Sequence, residues 1–147
     1  LVRNDLGRVC EVGTVRVPQL LAVRPAPGVW HLDSTVEGVL AEGTDDADLL
    51  RGAFPPGSVT GAPKIRALEL VTELEPVPRG VYTGAVGLAS PVAGMELNVA
   101  IRTFEVSGGT VRLGVGGGIT ADSDPEAEWQ ECLHKAAPLR ALLDPDG

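Results

Sequence analysis

The sequence is poor in cysteine and in aromatic residues, and it has no long apolar run. Its two cysteines, Cys10 and Cys132, are too few for a disulfide framework and form no Cys-x-x-Cys metal motif, so we expect two reduced, buried side chains. No apolar run approaches the about 18 residues of a membrane-spanning helix, and the N-terminus lacks the pattern of a signal peptide. These absences predict a cytoplasmic protein that does not bind membranes.

Positive charge is also scarce. The chain has 12 lysine and arginine residues against 20 aspartate and glutamate residues, and its formal net charge at pH 7 is -8. Nucleic-acid binding needs a basic surface patch, whereas these basic residues are scattered, so we predict no nucleic-acid partner. The 147 residues suffice for one globular domain with its own core. Because the first residue, Leu1, is not methionine, we expect a segment of a longer protein.

Strand and helix patterns alternate along the chain. Residues 14–23 and 29–40 predict neighbouring strands, and a short helix should follow with Thr44 as its N-cap. The segment "TGAPKIRALELVTELEP" has the apolar spacing of a longer helix. Three further strand patterns predict an antiparallel meander over residues 81–90, 95–106 and 110–119. Strands and helices within one domain predict an α+β fold.

The last helix is predicted to begin between Ser123 and Pro125, where Ser123 and Glu126 form a capping-box pattern, and to reach about Leu143 with a kink at Pro138. Its apolar stripe consists of Trp129, Cys132, Leu133, Ala136 and Leu139.

Three charged residues share one face of that helix, because Glu128, Glu131 and Lys135 are spaced by three and four residues. One interpretation is an exposed helix with a weak Glu–Lys pair. The other is a magnesium site, since Mg²⁺ binds a few carboxylate oxygens and leaves positions for water or an anionic substrate. The preceding glycines could allow a ligand to approach the backbone or could form a tight turn: Gly116, Gly117 and Gly118.

Arg102 lies in the middle of a predicted strand, on the same face as Ala100 and Phe104. Among apolar neighbours a guanidinium needs an anionic partner, and on a solvent face it needs none; the sequence leaves both open. Tyr82 is compatible with an ordinary strand residue, and His31 with a hydrogen-bonded core or edge residue. The loop "GSVTGAPK" lacks the spacing of a phosphate-binding P-loop, which excludes a nucleotide site of that type.

Six segments, taken in order, resemble the motifs of the chorismate-utilising enzymes. They are "RNDLGR", "HLDSTV", "GSVTGAPKIRALELVTELEP", "RGVYTGAVG", "NVAIRTF" and "GGGITADSDPEAEWQE". The family includes anthranilate synthase component I, aminodeoxychorismate synthase component I, isochorismate synthases and salicylate synthases. The resemblance is closest to aminodeoxychorismate synthase component I, with anthranilate synthase as the alternative. It implies an α+β sandwich of antiparallel sheets with outer helices, in which residues 1–147 are the C-terminal segment of the chorismate-binding catalytic domain.

The resemblance also implies a Mg²⁺ ion that bridges acidic side chains and the ring carboxylate of chorismate. Glu131 matches a direct metal ligand, Glu128 a second acidic residue beside the metal, and Lys135 a lysine near the ring carboxylate. Tyr82 and Arg102 match the residues that hold the enolpyruvyl carboxylate. The backbone against the ring carboxylate would be that of Gly116, Gly117 and Gly118. Two further residues match positions that line the ring: Ser58 and His31, the candidate for a catalytic role.

Two family features are absent from the 147 residues: a further metal-binding glutamate and the Pro-Ile-Lys-Gly-Thr segment, whose lysine is the nucleophile of aminodeoxychorismate synthases. We therefore expect the isolated chain to be inactive. For the complete enzyme, the resemblance implies conversion of chorismate and ammonia to 4-amino-4-deoxychorismate for folate synthesis. A glutamine amidotransferase subunit or domain would supply the ammonia. An alternative of another class is a non-catalytic binding or assembly fragment.

Overall fold

The computed structural model describes residues 1–26 and 29–143, without the side chains of Ala26, Val29 and His31. The chain divides into two compact units, Leu1–Leu68 and Glu69–Gly147. Helices and antiparallel two-stranded sheets make up the described residues, so the α+β prediction is confirmed. None of the helices in these ranges is long and apolar enough to cross a membrane.

The first unit contains one long hairpin and several short helices. In chain order its elements are α1 (Val2–Leu6), β1 (Arg16–Ala26), β2 (Val29–Glu37), α2 (Asp46–Ala53), α3 (Gly57–Thr60) and the start of α4 (Lys64–Leu74). Both predicted strands are confirmed, and they pair antiparallel. The register shifts twice between Arg16 and Ala22, a stretch that contains Pro18, which has no N–H to donate to the partner strand.

Helix α2 begins one residue later than predicted, because its N-cap is Asp45 and not Thr44. The Asp45 carboxylate accepts a hydrogen bond from the Asp48 N–H at 2.9 Å, and the Asp48 carboxylate accepts one from the Asp45 N–H at 3.4 Å. The hydrogen bond from the Asp48 backbone is the main reason why the pKa of Asp45 is lowered. Aspartate suits this position because its negative charge also interacts favourably with the helix dipole.

A buried ion pair joins four helices of the first unit. Asp5 of α1 and Lys64 of α4 lie 2.8 Å apart (Oδ1 to Nζ), with side chains only 6% and 9% exposed. The other oxygen of Asp5 accepts the Gly57 N–H at the start of α3, and Lys64 also donates to the carbonyl of Gly52 in α2. Both charges therefore have hydrogen-bonding partners, which a buried pair requires.

The second unit contains the rest of α4, two hairpins and the last helix. Its elements are β3 (Ala85–Ser90), β4 (Gly94–Val99), β5 (Phe104–Ser107), β6 (Thr110–Leu113) and α5 (Pro125–Arg140). The predicted meander is wrong, because β3–β4 and β5–β6 are separate two-stranded sheets. The predicted strand 95–106 is interrupted after Val99, and Arg102 has a φ of 50°, outside the extended β region.

Helix α5 is capped by Asp124, whose carboxylate accepts the Ala127 N–H at 2.9 Å. The predicted start near Ser123 to Pro125 is confirmed, but the capping box of Ser123 and Glu126 is wrong. The helix continues through Pro138, where we expected a kink, and ends at Arg140, before the predicted Leu143.

The buried apolar core is smaller than predicted. Among the described residues, the buried apolar ones are Cys10, Ala100 and Ala136. Large apolar side chains are exposed, including Trp30 at 73% and Trp129, from the predicted apolar stripe of α5, at 58%. The chain therefore does not cover all of its own apolar faces, contrary to the expectation of a domain with its own core.

Candidate functional site

Helix α5 presents three charged side chains on one face, as their spacing predicts. Lys135 Nζ donates a hydrogen bond to Glu131 Oε1 at 2.5 Å and another to the carbonyl of Gly116 at 3.1 Å. The hydrogen bond from Lys135 lowers the pKa of Glu131, so this carboxylate is ionised at neutral pH. The second bond of Lys135 connects α5 to residues 114–118, the glycine-rich segment that follows β6.

Gly117 lies where the charged groups of α5 meet. A β-carbon placed on Gly117 would be 3.0 Å from Glu128 Oε2, 3.6 Å from Glu131 Oε1 and 4.0 Å from Lys135 Nζ. Neither Gly117 nor its glycine neighbours have a positive φ, so the run is not needed for a tight turn. The absence of a side chain instead leaves room for two carboxylates and an ammonium group beside the backbone.

Tyr82 closes the other side of the glycine-rich segment. It lies in a turn before β3, not in a strand as predicted. A β-carbon on Gly114 would overlap the Tyr82 ring, and one on Gly116 would lie 2.5 Å from the hydroxyl oxygen. Burial raises the pKa of Tyr82, so its hydroxyl stays protonated at neutral pH and can donate a hydrogen bond.

Arg79 supports Tyr82 and was missed at the level of sequence. Its guanidinium lies 5.8 Å from the Tyr82 ring centroid, within the range of a cation–π interaction. Two of its nitrogens donate to the Glu75 carboxylate, at 2.9 and 2.5 Å, and a third donates to the Thr83 hydroxyl at 3.3 Å. The hydrogen bonds to Glu75 raise the pKa of Arg79 and lower that of Glu75. The spacing of four residues between Glu75 and Arg79 is the sequence feature from which this ion pair could have been predicted.

Backbone hydrogen bonds connect the two residues after Tyr82 to Ala100, two residues before Arg102. The Thr83 N–H donates to the carbonyl of Ala100, and the Ala100 N–H donates to the carbonyl of Gly84, both at 2.8 Å. Because the predicted strand is interrupted here, the shared face with Ala100 and Phe104 is wrong. The Arg102 side chain is exposed, and within the described ranges it has no hydrogen-bond or ion-pair partner. It is therefore available to an anion.

Ser58 and His31 belong to the first unit. Ser58 is exposed in α3, next to Gly57, whose N–H is bound by the buried Asp5. The backbone of His31 lies in β2 opposite Arg24, and its side chain lies outside the described residues. Within the second unit, by contrast, the structure brings together the predicted residues Tyr82, Gly116, Gly117, Glu128, Glu131 and Lys135, with Gly118 next in the chain.

The two carboxylates near Gly117 could supply part of the ligand shell of a Mg²⁺ ion. Glu128 and Glu131 offer carboxylate oxygens, and Mg²⁺ commonly binds one or two carboxylates while water and substrate oxygens complete its shell. No group of three or more His, Cys, Asp or Glu side chains that could hold a metal occurs in the described part of the chain. The residues therefore suit an ion shared with a substrate and not a cage made by the protein alone.

Comparisons with known proteins point to one family. The family model described as chorismate binding enzyme matches residues 1–141. The chain is 54% identical over 143 residues to anthranilate synthase component 1 of Streptomyces coelicolor, covering 97% of this chain and 27% of that protein. It is 48% identical over 144 residues to aminodeoxychorismate synthase component 1 of Escherichia coli, covering 98% of this chain and 32% of that protein.

A solved structure is similar as well. The crystal structure of anthranilate synthase component I from Streptococcus pneumoniae matches with a TM-score of 0.84 and 40% identity, over 93% of this chain and 32% of that one. The chain thus spans about a third of the length of these relatives.

Proposed function

Because the chain belongs to the family of chorismate binding enzymes, we propose that it is the C-terminal segment of the catalytic domain of an aminodeoxychorismate synthase component I. The complete cytoplasmic enzyme would convert chorismate and ammonia to 4-amino-4-deoxychorismate for folate synthesis. A glutamine amidotransferase subunit or domain would supply the ammonia. The motifs of the sequence and the 48% identity to the Escherichia coli protein of that name support this choice.

Anthranilate synthase component I is the second candidate. The 54% identity to the Streptomyces coelicolor protein favours it. The two reactions differ in product, because anthranilate synthase adds ammonia at C2 of the ring and eliminates pyruvate. A chromatographic assay of the complete enzyme that contains this chain, with chorismate, Mg²⁺ and ammonium, separates them. Formation of 4-amino-4-deoxychorismate supports our choice, and formation of anthranilate supports the second candidate.

One observation carries the proposal: the charged groups of Glu128, Glu131 and Lys135 converge on Gly117. Chorismate is a dicarboxylate, and the glutamate pair would repel it unless a cation offset the charge. Glu128 and Glu131 are the residues that would hold Mg²⁺. When bound, the ion would supply positive charge and Lewis acidity at the ring carboxylate.

The other residues bind and orient the substrate in this proposal. Lys135 and the open backbone of Gly117 face the ring carboxylate, together with the neighbouring glycines. The free guanidinium of Arg102 offers a planar pair of donors to the enolpyruvyl carboxylate, and the protonated hydroxyl of Tyr82 donates a hydrogen bond to it. The roles that the family resemblance gives to Ser58 and to His31, the candidate for a catalytic role, stay predictions.

The binding site can be tested by calorimetry on the 147-residue chain. We expect chorismate binding that depends on Mg²⁺, and the Glu131→Gln substitution should weaken it about tenfold or more because it removes a charged metal ligand. Glu128→Gln should weaken it equally or less. Glu126→Gln is the matched control, since Glu126 lies on the same helix but accepts a hydrogen bond from Gln130. Binding by the Glu131 variant at the level of this control would contradict the proposed site.

A further inference from the structure

We propose that Ser123 is a positioning residue that holds the Glu128 carboxylate with one oxygen toward Gly117, where a divalent cation would bind. The inference rests on the proposed function and assigns a role to a residue that the sequence pattern had marked as a helix cap.

The hydrogen bonds of Ser123 define the orientation of Glu128. Ser123 Oγ donates to Glu128 Oε1 at 2.6 Å and accepts the Thr120 N–H at 3.0 Å. The Thr120 N–H can only donate, so the Ser123 oxygen accepts it and the hydroxyl hydrogen is left for Glu128 Oε1. With Oε1 held in this way, Oε2 is the oxygen that faces Gly117, 3.0 Å from the position of a β-carbon there.

A capping role does not explain Ser123. The cap of α5 is Asp124, which accepts the Ala127 N–H, and the predicted partner Glu126 accepts a hydrogen bond from Gln130 instead. The Ser123 hydroxyl therefore connects the Thr120 backbone to the Glu128 side chain and does not cap the helix.

The neutral hydroxyl matters for the chemistry of the site. Glu131 is held by the Lys135 ammonium, a positive charge that competes with a cation for the same carboxylate. Ser123 orients Glu128 without adding positive charge, so Glu128 Oε2 stays available to a cation. Residues that orient a metal ligand typically contribute 10- to 100-fold to metal affinity.

The experiment is a calorimetric titration of the 147-residue chain with Mg²⁺ alone, corrected for the folded fraction measured by circular dichroism. Ser123→Ala should weaken Mg²⁺ binding about tenfold, because Glu128 loses the donor that fixes its orientation. Ser123→Thr keeps the hydroxyl and should restore the affinity to within about threefold. Asp124→Ala is the matched structural control: it should lower the thermal midpoint and leave the affinity per folded chain unchanged.

The titrations distinguish a failure of the Ser123 role from a failure of the proposed metal site. If Ser123→Ala binds Mg²⁺ as tightly as the unaltered chain, or if Asp124→Ala weakens binding equally, Ser123 has no positioning role. Failure of the threonine variant to restore binding would also overturn it. If the unaltered chain binds no Mg²⁺, the proposed metal site itself is wrong and the role of Ser123 falls with it.

Discussion

At the scale of single residues, Gly117 shows how a missing side chain can shape a site. Its φ is not positive, so alanine could adopt the same backbone conformation. A β-carbon would nevertheless lie 3.0 Å from Glu128 Oε2, the end of a side chain that could move aside. The cost of a larger residue is thus expected in ligand binding and not in folding.

Gly117→Ala should therefore weaken Mg²⁺ binding about tenfold, as expected when the orientation of a metal ligand is disturbed. It should leave the free energy of unfolding unchanged or raise it by up to about 1 kcal/mol, because alanine has less conformational entropy when unfolded. Calorimetry and urea unfolding measure the two quantities. Unchanged affinity in the alanine variant would show that Gly117 is not part of the cation site.

At the scale of secondary-structure elements, the break between β4 and β5 places a positive φ on a residue with a side chain. Arg102 has a φ of 50°, a conformation that costs a non-glycine residue about 1 to 2 kcal/mol. No described contact of the side chain compensates for this strain. The strain is consistent with a residue retained for binding, and it can be tested by separating stability from affinity.

Arg102→Gly should raise the free energy of unfolding by about 0.5 to 1 kcal/mol, since glycine relieves the strain but loses more backbone entropy. The same variant should lose chorismate binding. Arg102→Lys should keep the stability and weaken binding by about 1 to 3 kcal/mol, because lysine lacks the planar fork. Urea unfolding and calorimetry measure these effects. A glycine variant that is less stable but binds normally would make Arg102 a structural residue.

At the scale of the whole molecule, the two compact units depend on different interactions. In the first unit, Asp5 and Lys64 form a buried and fully hydrogen-bonded ion pair. In the second unit, the glycine-rich segment contacts both Tyr82 and the charged face of α5. Many large apolar side chains remain exposed among the described residues, so these polar contacts are not backed by a large apolar core.

Lys64→Met should lower the free energy of unfolding by about 3 to 5 kcal/mol, because it leaves the buried Asp5 charge without its partner. Adding Asp5→Asn should recover part of that loss. The matched control is Arg51→Met, which removes an exposed ion pair with Asp48 and should cost at most about 1 kcal/mol. Urea unfolding of the unaltered chain and of these three variants measures the effects. Equal effects of the Lys64 and Arg51 variants would contradict a structural role for the buried pair.

The purified chain should not form 4-amino-4-deoxychorismate from chorismate, Mg²⁺ and ammonium. The 147 residues contain no Pro-Ile-Lys-Gly-Thr segment, and the family resemblance assigns the nucleophilic lysine to that segment. Losing a covalent route removes a large part of the rate enhancement. A chromatographic assay checks this, beside a reaction with the missing segment supplied as a separate polypeptide. Product from the short chain alone would show that its own residues carry the chemistry.

The sequence alone determined the local features of this protein. The helical period places Glu128, Glu131 and Lys135 on one face of α5 whatever surrounds them, since residues three and four apart are neighbours on any helix. The strands β1 and β2 and the helix α4 were also predictable, because their patterns depend on near neighbours in the chain. The order of the motifs was enough to indicate the family, which the comparisons confirm.

Only the tertiary structure decided which distant segments meet. Ser123 and Asp124 are both good caps by composition, and the proximity of Ser123 to Glu128 and Thr120 shows that it has another partner. Likewise, spacing could not show that the glycines lie between Tyr82 and α5, or that the strand breaks before Arg102. The partners of Ser123 are near in the chain, but they depend on how the backbone before α5 folds. The last two features depend on hydrogen bonds and steric contacts between residues far apart in the chain, which leave no period in the sequence.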